Sequence, residues 1–257
     1  MEKSLRLRVF AGPNGSGKST VINSVREFRV ANRPIDFGIY INADDIAKIL
    51  RLESLSLTSY QVNVDKDEFV RIASDSGLLS EEFTKQEFLD SFKLEGNKIQ
   101  LLTNNAVERL AQIIADFLRK KLLTERKKFS FETAFSHPGK LDIMRQAAEQ
   151  GYKVYLYFVS TQDPEINVYR VKRVRVKQNG HDVPEDKIRS RYVRSMSLMY
   201  EVAQLSYQCF FFDNSTNDKQ SMLFARFKNV GDEKEWFIPN PNNIPGWFHD
   251  YYSDNKR

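Results

Sequence analysis

Gly12-Pro13-Asn14-Gly15-Ser16-Gly17-Lys18-Ser19-Thr20 is the stretch that decides the fold of this chain. It matches G-x-x-x-x-G-K-[ST], a pattern typical of a phosphate-binding loop when a strand precedes it and a helix follows it. Residues 5–11 alternate apolar and β-branched side chains and predict that strand, whereas the spacing in residues 18–28 predicts the helix. The sequence therefore predicts the required order of strand, glycine-rich loop and helix.

The residue types of this stretch, which we call the phosphate loop (residues 12–20), suit the binding of a nucleoside triphosphate. Glycines let successive backbone N–H groups turn inward around an anion, and the N-terminus of the following helix adds positive potential. The Lys18 ammonium can reach the β- and γ-phosphate oxygens, and the Ser19 hydroxyl can ligate Mg²⁺. The alternative is an ordinary glycine-rich turn between a strand and a helix.

The composition describes a globular chain. Of its 257 residues, 41% are hydrophobic and 28% are charged, with a net charge of +5, and this length is enough for a single domain over residues 1–257. The sequence contains no apolar run long enough to cross a bilayer and no signal-peptide core. The single cysteine, Cys209, lies in an apolar run and predicts a core residue. We therefore expect a cytoplasmic protein without a membrane partner.

Strands that alternate with helices predict an α/β fold, specifically the three-layer α/β/α sandwich of P-loop NTPases with a mainly parallel sheet. Further strands are predicted at 37–42, 129–133, 152–159 and 208–213, and helices from Asp44 or Asp45 onward, over 99–125 and over 140–150. Residues 51–98 are predicted to form a helical insertion, with short helices near 65–75 and 80–93. Residues 216–257 form a C-terminal extension with a predicted β-hairpin, in which strands 222–227 and 235–238 are joined through Gly231-Asp232.

Polar residues follow several of these strands, namely the phosphate loop, Asp44 and Asp45, Glu132 and Thr133, and Asp213. Because α/β sheets bind ligands beyond the carboxyl ends of their strands, we expect these residues to converge on one rim.

Asp44 is the candidate base at an acceptor hydroxyl. Its alternative role is a helix cap, for which Asp45 is favoured. Glu132 and Thr133 are candidate acceptor-binding residues, and Glu132 can also reach Mg²⁺ through water; the alternative for Glu132 is a solvated charge.

A basic segment covers residues 163–200 and is interrupted at 178–184. Its layout of helix, loop and helix with arginines on both sides is typical of a lid that closes over a triphosphate. Arg175 and Arg191 are candidate catalytic cations, and Arg173 and Arg194 candidate substrate-binding cations. For each arginine, the alternative is a solvated basic face. His181 has no metal-ligand partner at suitable spacing, so Mg²⁺ is the metal we expect.

Four blocks resemble the zeta-toxin-like P-loop kinases, in the bacterial branch described as ATPases or kinases. They are residues 11–20, Ile41-Asn42-Ala43-Asp44-Asp45-Ile46-Ala47, Phe131-Glu132-Thr133, and Gly180-His181-Asp182-Val183-Pro184 with Ile188, Arg191-Tyr192 and Arg194-Ser195. Together they span residues 5–215 in the order found in that family. The chain differs at Ala134, where zeta toxins carry threonine.

The resemblance implies an Mg²⁺-dependent kinase that uses ATP or GTP as phosphate donor. By this likeness Lys18 binds phosphates, Asp44 is the base, Glu132 contacts the acceptor, and arginines between 173 and 194 stabilise the transferring phosphate. In zeta toxins the acceptor is the 3′-hydroxyl of the amino sugar in UDP-N-acetylglucosamine. The family therefore suggests a sugar nucleotide as the small-molecule acceptor and an antitoxin protein as a partner.

Two other functions fit the sequence. A polynucleotide kinase would use the basic segment and exposed aromatic residues to hold a nucleic-acid end, although the modest net charge gives nucleic acid little support. A non-catalytic nucleotide-binding module would need Lys18 but not Asp44. An ABC-type ATPase is disfavoured because the chain has no LSGGQ-like signature.

Overall fold

The computed structural model describes residues 4–136, 139–175, 183–217, 219–231 and 233–254, with side chains except at 174 and 175. The strands are β1 Arg6–Ala11, β2 Arg29–Val30, β3 Arg33–Pro34, β4 Ile39–Ile41, β5 Leu55–Ser56, β6 Phe92–Glu95, β7 Lys98–Leu101, β8 Phe129–Thr133, β9 Lys153–Ser160, β10 Gln208–Asp213, β11 Met222–Val230 and β12 Glu233–Phe237. The α-helices are α1 Lys18–Glu27, α2 Ala43–Leu52, α3 Lys66–Ser74, α4 Lys85–Asp90, α5 Val107–Thr124, α6 Gly139–Glu149, α7 Pro164–Tyr169, α8 Glu185–Ser197, α9 Met199–Gln204 and α10 Gly246–Phe248. Two π-helical turns cover Arg170–Arg175 and His249–Ser253.

The chain divides into two compact units. The first contains residues 1–37 and 132–257, and the second contains residues 38–131. None of the described helices is both long and apolar enough to cross a membrane.

In the first unit, β1, β9 and β10 run parallel side by side, and β11 and β12 continue the sheet in antiparallel orientation. The register aligns Ala11 with Phe158, and Ser160 with Asp213. Strands β1 and β9 are largely buried, as expected for parallel strands covered on both faces. This arrangement confirms the predicted α/β class with its mainly parallel sheet and its C-terminal hairpin.

The C-terminal residues are part of the core of the first unit. The Phe211 ring of β10 is fully buried, and its neighbours are the rings of Phe224, Phe227, Trp236, Phe248 and Tyr252. Trp247 is also buried, with its ring on Phe224 and Phe158. The predicted hairpin thus exists, and the residues after it pack their aromatic rings against β10 and β11. Cys209 is buried as predicted, and burial raises the pKa of its thiol.

In the second unit, β4 and β8 pair in parallel, and α2 packs along the long helix α5. Rings of α3, α4, β6 and α5 form a second aromatic cluster, composed of Phe69, Phe88, Phe92 and Phe117. Helices α3 and α4 lie inside the predicted ranges 65–75 and 80–93.

Residues 51–98, predicted as a helical insertion with short helices, also contain strands that the sequence pattern did not predict. Strands β5, β7 and β6 form a three-stranded antiparallel sheet, so the long helix begins at Val107 rather than at residue 99. Gly96 and Asn97 both adopt positive φ angles, 54° and 63°, which is the conformation that a two-residue hairpin turn requires. The helical spacing of the apolar residues from Ile99 onward masked this turn. Residues 29–37, predicted as a loop, likewise contain the small hairpin β2–β3.

The prediction that Asp44 or Asp45 caps α2 is wrong. The cap is Asn42, whose side-chain oxygen accepts a hydrogen bond from the Asp44 N–H at 2.8 Å. Because β4 ends at Ile41, the helix begins directly after Asn42. Both aspartates therefore lie in the first turn, where a negative charge favours the helix dipole.

We predict that Phe211→Ala lowers the free energy of unfolding by about 3–5 kcal/mol, because it leaves a cavity at the centre of the aromatic cluster. The control is Phe28→Ala, at a phenylalanine whose side chain is 62% exposed and whose loss costs at most about 0.5 kcal/mol. Urea denaturation measures both. Equal losses would contradict the placement of Phe211 in the core.

Candidate phosphate-binding site

The phosphate loop lies between the end of β1 and the start of α1, as predicted. Gly12, Gly15 and Gly17 have φ angles of 141°, 77° and 93°, which side chains rarely permit. A Cβ atom at Gly12 would lie 2.0 Å from the Val159 carbonyl oxygen, and one at Gly17 would lie 2.1 Å from Nδ2 of Asn214. The glycines are therefore required both by the backbone conformation and by the close approach of neighbouring elements.

Two asparagines hold the outer side of the loop. Nδ2 of Asn167 donates to the Asn14 carbonyl at 2.7 Å, and Nδ2 of Asn214 donates to the Ser16 carbonyl at 2.8 Å. Sequence reasoning did not single out either asparagine as a site residue. The signal available for Asn214 was its position directly after β10, and Asn167 in α7 gave no comparable signal.

Lys18 and Glu132 are brought together by the structure. The buried Lys18 ammonium donates to the carbonyls of Gly12 at 2.9 Å and Pro13 at 3.0 Å, and lies 3.9 Å from Oε1 of Glu132. The Glu132 carboxylate, at the end of β8, is 17% exposed. An incoming phosphate can take over the ammonium from these carbonyls without large movement, because the lysine stem already lies along the loop.

Thr133 and Phe135 shape the chain just after Glu132. The Thr133 hydroxyl accepts a hydrogen bond from the Phe135 N–H at 3.0 Å. Phe135 is fully buried with a φ angle of 52°, a conformation uncommon for a bulky residue. This turn fixes the direction in which the chain leaves β8.

The residues around the loop fit a magnesium ion that is held mainly by the nucleotide. Ser19 is exposed in the first turn of α1, and the Glu132 carboxylate lies beside Lys18. Within the described residues there is no group of three or more histidine, cysteine, aspartate or glutamate side chains placed to hold a metal. Mg²⁺ commonly takes one or two protein oxygens and completes its shell with phosphates and water. The Ser19 hydroxyl would be such a ligand, and Mg²⁺ bound there would neutralise charge on the β- and γ-phosphates.

Asp213, another strand-end residue, is engaged in the fold. Its Oδ1 accepts hydrogen bonds from the Ser215 hydroxyl at 2.6 Å and from Nε1 of Trp247 at 2.8 Å. The carboxylate therefore links the C-terminal extension (residues 216–257) to the turn that carries Asn214.

Asp44 belongs to the second unit, whereas Lys18 and Glu132 belong to the first. Its carboxylate is exposed in the first turn of α2. Because Asn42 caps α2, the alternative role of Asp44 as the helix cap does not hold.

The basic segment separates into arginines with structural contacts and arginines at the surface. Arg170 donates to the Asn214 carbonyl at 2.8 Å, to the Thr216 carbonyl at 3.2 Å and to Oδ1 of Asn217 at 3.0 Å. Arg189 binds both carboxylate oxygens of Glu165 and also Glu185. This hydrogen bonding lowers the pKa of Glu165 and raises the pKa of Arg189.

The four arginines predicted as site residues differ in placement. Arg173 and Arg194 are exposed, and Arg194 donates to the Ser190 carbonyl of its own helix at 3.2 Å. Arg191 is half-buried on α8. The Arg175 side chain lies outside the described residues, as do positions 178–182 of the interruption predicted at 178–184, which include His181.

Comparison with known proteins gives a fold and no assigned activity. No family model matches the chain. An uncharacterized protein of Haemophilus influenzae (strain ATCC 51907 / DSM 11121 / KW20 / Rd) is 36% identical over 64 residues, which are 25% of this chain and 45% of that protein.

Among solved structures, a chain of the AvrRxo1-ORF1:AvrRxo1-ORF2 complex with ATP superposes with a TM-score of 0.54 and 14% identity. A second structure of this complex, with sulphate ions, has a TM-score of 0.53 and 13% identity. In both cases the match covers 94% of this chain and 62% of the other. The likeness supports the mixed α/β fold with its mainly parallel sheet.

We predict that Gly12→Ala destabilises the first unit more than Gly151→Ala does. Both glycines have positive φ, but a Cβ at Gly151 would meet nothing within 4 Å, whereas one at Gly12 would clash with the Val159 carbonyl. Gly151→Ala should cost about 1 kcal/mol from the backbone conformation, and Gly12→Ala should cost at least about 2 kcal/mol more as steric strain is added. Chemical denaturation measures the two losses. Equal losses would contradict the close approach of the loop to β9.

Proposed function

We propose that this protein is an Mg²⁺-dependent phosphotransferase that moves the γ-phosphate of ATP or GTP to a hydroxyl group of a small-molecule acceptor. The observation that carries the proposal is the Lys18 ammonium, buried beside the glycine loop at the N-terminus of α1. A single lysine in this position serves as the cation for the β- and γ-phosphates. The structure of AvrRxo1-ORF1:AvrRxo1-ORF2 with ATP, which has a similar fold, supports a nucleotide ligand.

Transfer to a hydroxyl group requires that the hydroxyl lose its proton as the bond to phosphorus forms. We assign this role to Asp44, whose carboxylate is exposed and is not the cap of its helix. We assign acceptor binding to Glu132 and Thr133, which end the strand that brings Glu132 to Lys18. The phosphoryl group would leave the β-phosphate oxygen and bond to the acceptor oxygen, and Asp44 would take the proton.

The charge that spreads over the transferring phosphoryl group needs cations. Besides Lys18, and Mg²⁺ held through Ser19, we assign this role to Arg175 and Arg191, with Arg173 and Arg194 for substrate binding. Arg170 and Arg189 are not included, because their guanidinium groups already bind carbonyl, carboxamide and carboxylate oxygens of the chain. For the acceptor we propose a sugar nucleotide of the UDP-N-acetylglucosamine type, as in the zeta toxins, and for a partner an antitoxin protein.

Phosphate transfer from γ-labelled ATP and GTP into a pool of sugar nucleotides tests this function. We expect labelled acceptor with the wild type and a loss of about 100-fold or more with Asp44→Ala, the usual range for a lost general base. Lys18→Ala should cost at least as much, because it removes the cation that binds the β- and γ-phosphates. The matched controls are Lys48→Ala and Asp45→Ala, which remove the same charges from exposed positions on α2 and should leave transfer within about twofold of wild type.

Two outcomes would contradict the proposal. Release of free phosphate that Asp44→Ala leaves unchanged would exclude Asp44 as the base and favour a nucleotide-binding module without transfer. If no sugar nucleotide is labelled and the same assay with oligonucleotides labels their ends, the result would favour a polynucleotide kinase.

A further inference from the structure

A loop that turns its N–H groups toward an anion must turn its carbonyl groups away from it. Those carbonyls need hydrogen-bond donors on the outer side, because a buried carbonyl without a partner costs free energy. In this protein the donors are two side chains distant in sequence, Asn167 at the carbonyl of Asn14 and Asn214 at the carbonyl of Ser16.

Asn167 is well fixed in its position. It is fully buried in α7, and its side-chain oxygen accepts a hydrogen bond from the Thr161 hydroxyl while its Nδ2 donates to Asn14. Its backbone lies so close to the loop that a Cβ at Gly15 would be 2.7 Å from the Asn167 carbonyl oxygen. Helix α7 is therefore seated directly on the phosphate loop.

Asn214 is held from three sides. Its N–H donates to the Ser160 carbonyl at the end of β9, and its own carbonyl accepts from Arg170. The neighbouring Ser215 and Asp213 are joined by hydrogen bonds, and Asp213 also binds Trp247. The turn after β10 thus connects the C-terminal extension and the basic segment to the carbonyl of Ser16.

We propose that Asn167 and Asn214 are positioning residues that hold the phosphate loop in its anion-binding conformation before a nucleotide arrives. The inference rests on the proposed function only in naming a nucleoside triphosphate as the ligand. A carboxamide suits the task because its NH₂ group donates to a carbonyl, whereas a carboxylate of the same shape can only accept. Asn214→Asp would place one oxygen against another and add a negative charge beside the triphosphate.

Asn214 gives the cleaner test, because Asn167 is buried deeply enough that its variants risk misfolding. The variants are Asn214→Ala and Asn214→Asp. The matched controls are Asn229→Ala and Asn229→Asp, since Nδ2 of Asn229 donates to the Ser206 carbonyl at 2.9 Å, in the same unit but at the opposite end of β10. In each pair, the alanine variant removes one asparagine-to-carbonyl hydrogen bond, and the aspartate variant replaces its donor by an acceptor.

The dissociation constants of Mg²⁺-ATP and Mg²⁺-GTP are measured by calorimetry well below the melting temperature of every variant. We expect Asn214→Ala to weaken binding by about tenfold, which is about 1.4 kcal/mol, and Asn214→Asp to weaken it further. The Asn229 variants should bind as the wild type does, even where they lower the melting temperature of the nucleotide-free protein as much as the Asn214 variants do. A merely structural role would change both melting temperatures and neither dissociation constant.

Hydrogen–deuterium exchange of the nucleotide-free protein separates this inference from the proposed function. We expect Asn214→Ala to speed exchange of the amides of residues 14–18, and Asn229→Ala to leave them unchanged. If the wild type binds neither nucleotide, the proposed function fails and the exchange result decides whether the asparagine holds the loop. Amide exchange of residues 14–18 that is the same in Asn214→Ala as in the wild type would overturn the inference. If the wild type binds nucleotide, an unchanged dissociation constant in Asn214→Ala would also overturn it.

Discussion

The first unit depends on one constraint, the tight turn of the phosphate loop between β1 and α1. This turn needs three glycines at positive φ, and it needs neighbouring elements to approach the loop more closely than any side chain would allow. The carboxyl end of β9, Asn167 in the second half of α7 and the turn after β10 all meet the loop at those positions. The parallel register of β1, β9 and β10 is what brings these three segments together.

The C-terminal extension and the basic segment take part in the same constraint. Trp247 donates to Asp213, and Arg170 donates to the carbonyl of Asn214, so both segments fix the turn that holds Ser16. The C-terminal extension is therefore connected to the phosphate loop through Asp213 and Asn214. The aromatic cluster around Phe211 supports this connection, because it buries the tail against β10 and β11.

Whether a feature could be predicted depends largely on how far apart in the sequence its residues lie. The phosphate loop, its strand and its helix are encoded in some twenty consecutive residues, and strand β10 was predicted with its observed bounds. Asn167 and Asn214 could not be identified as supports, since they lie 153 and 198 positions from the carbonyls that they bind.

The hairpin at Gly96-Asn97 was missed because helical spacing of nearby apolar residues outweighed the turn. The α2 cap was misplaced because Asn42 was assigned to the preceding strand, whereas β4 ends at Ile41 and Asn42 caps the helix. Whether Asp44 acts as a base depends on an acceptor that no local pattern specifies.

The most direct test of the central claim is a crystal structure of the protein with a non-hydrolysable ATP analogue and Mg²⁺. The account predicts the β-phosphate within hydrogen-bond distance of the backbone N–H groups of residues 15–18. It also predicts the Lys18 ammonium on phosphate oxygens instead of the carbonyls of Gly12 and Pro13, with Asn167 and Asn214 unmoved. A nucleotide bound elsewhere, with Lys18 still on those two carbonyls, would contradict it.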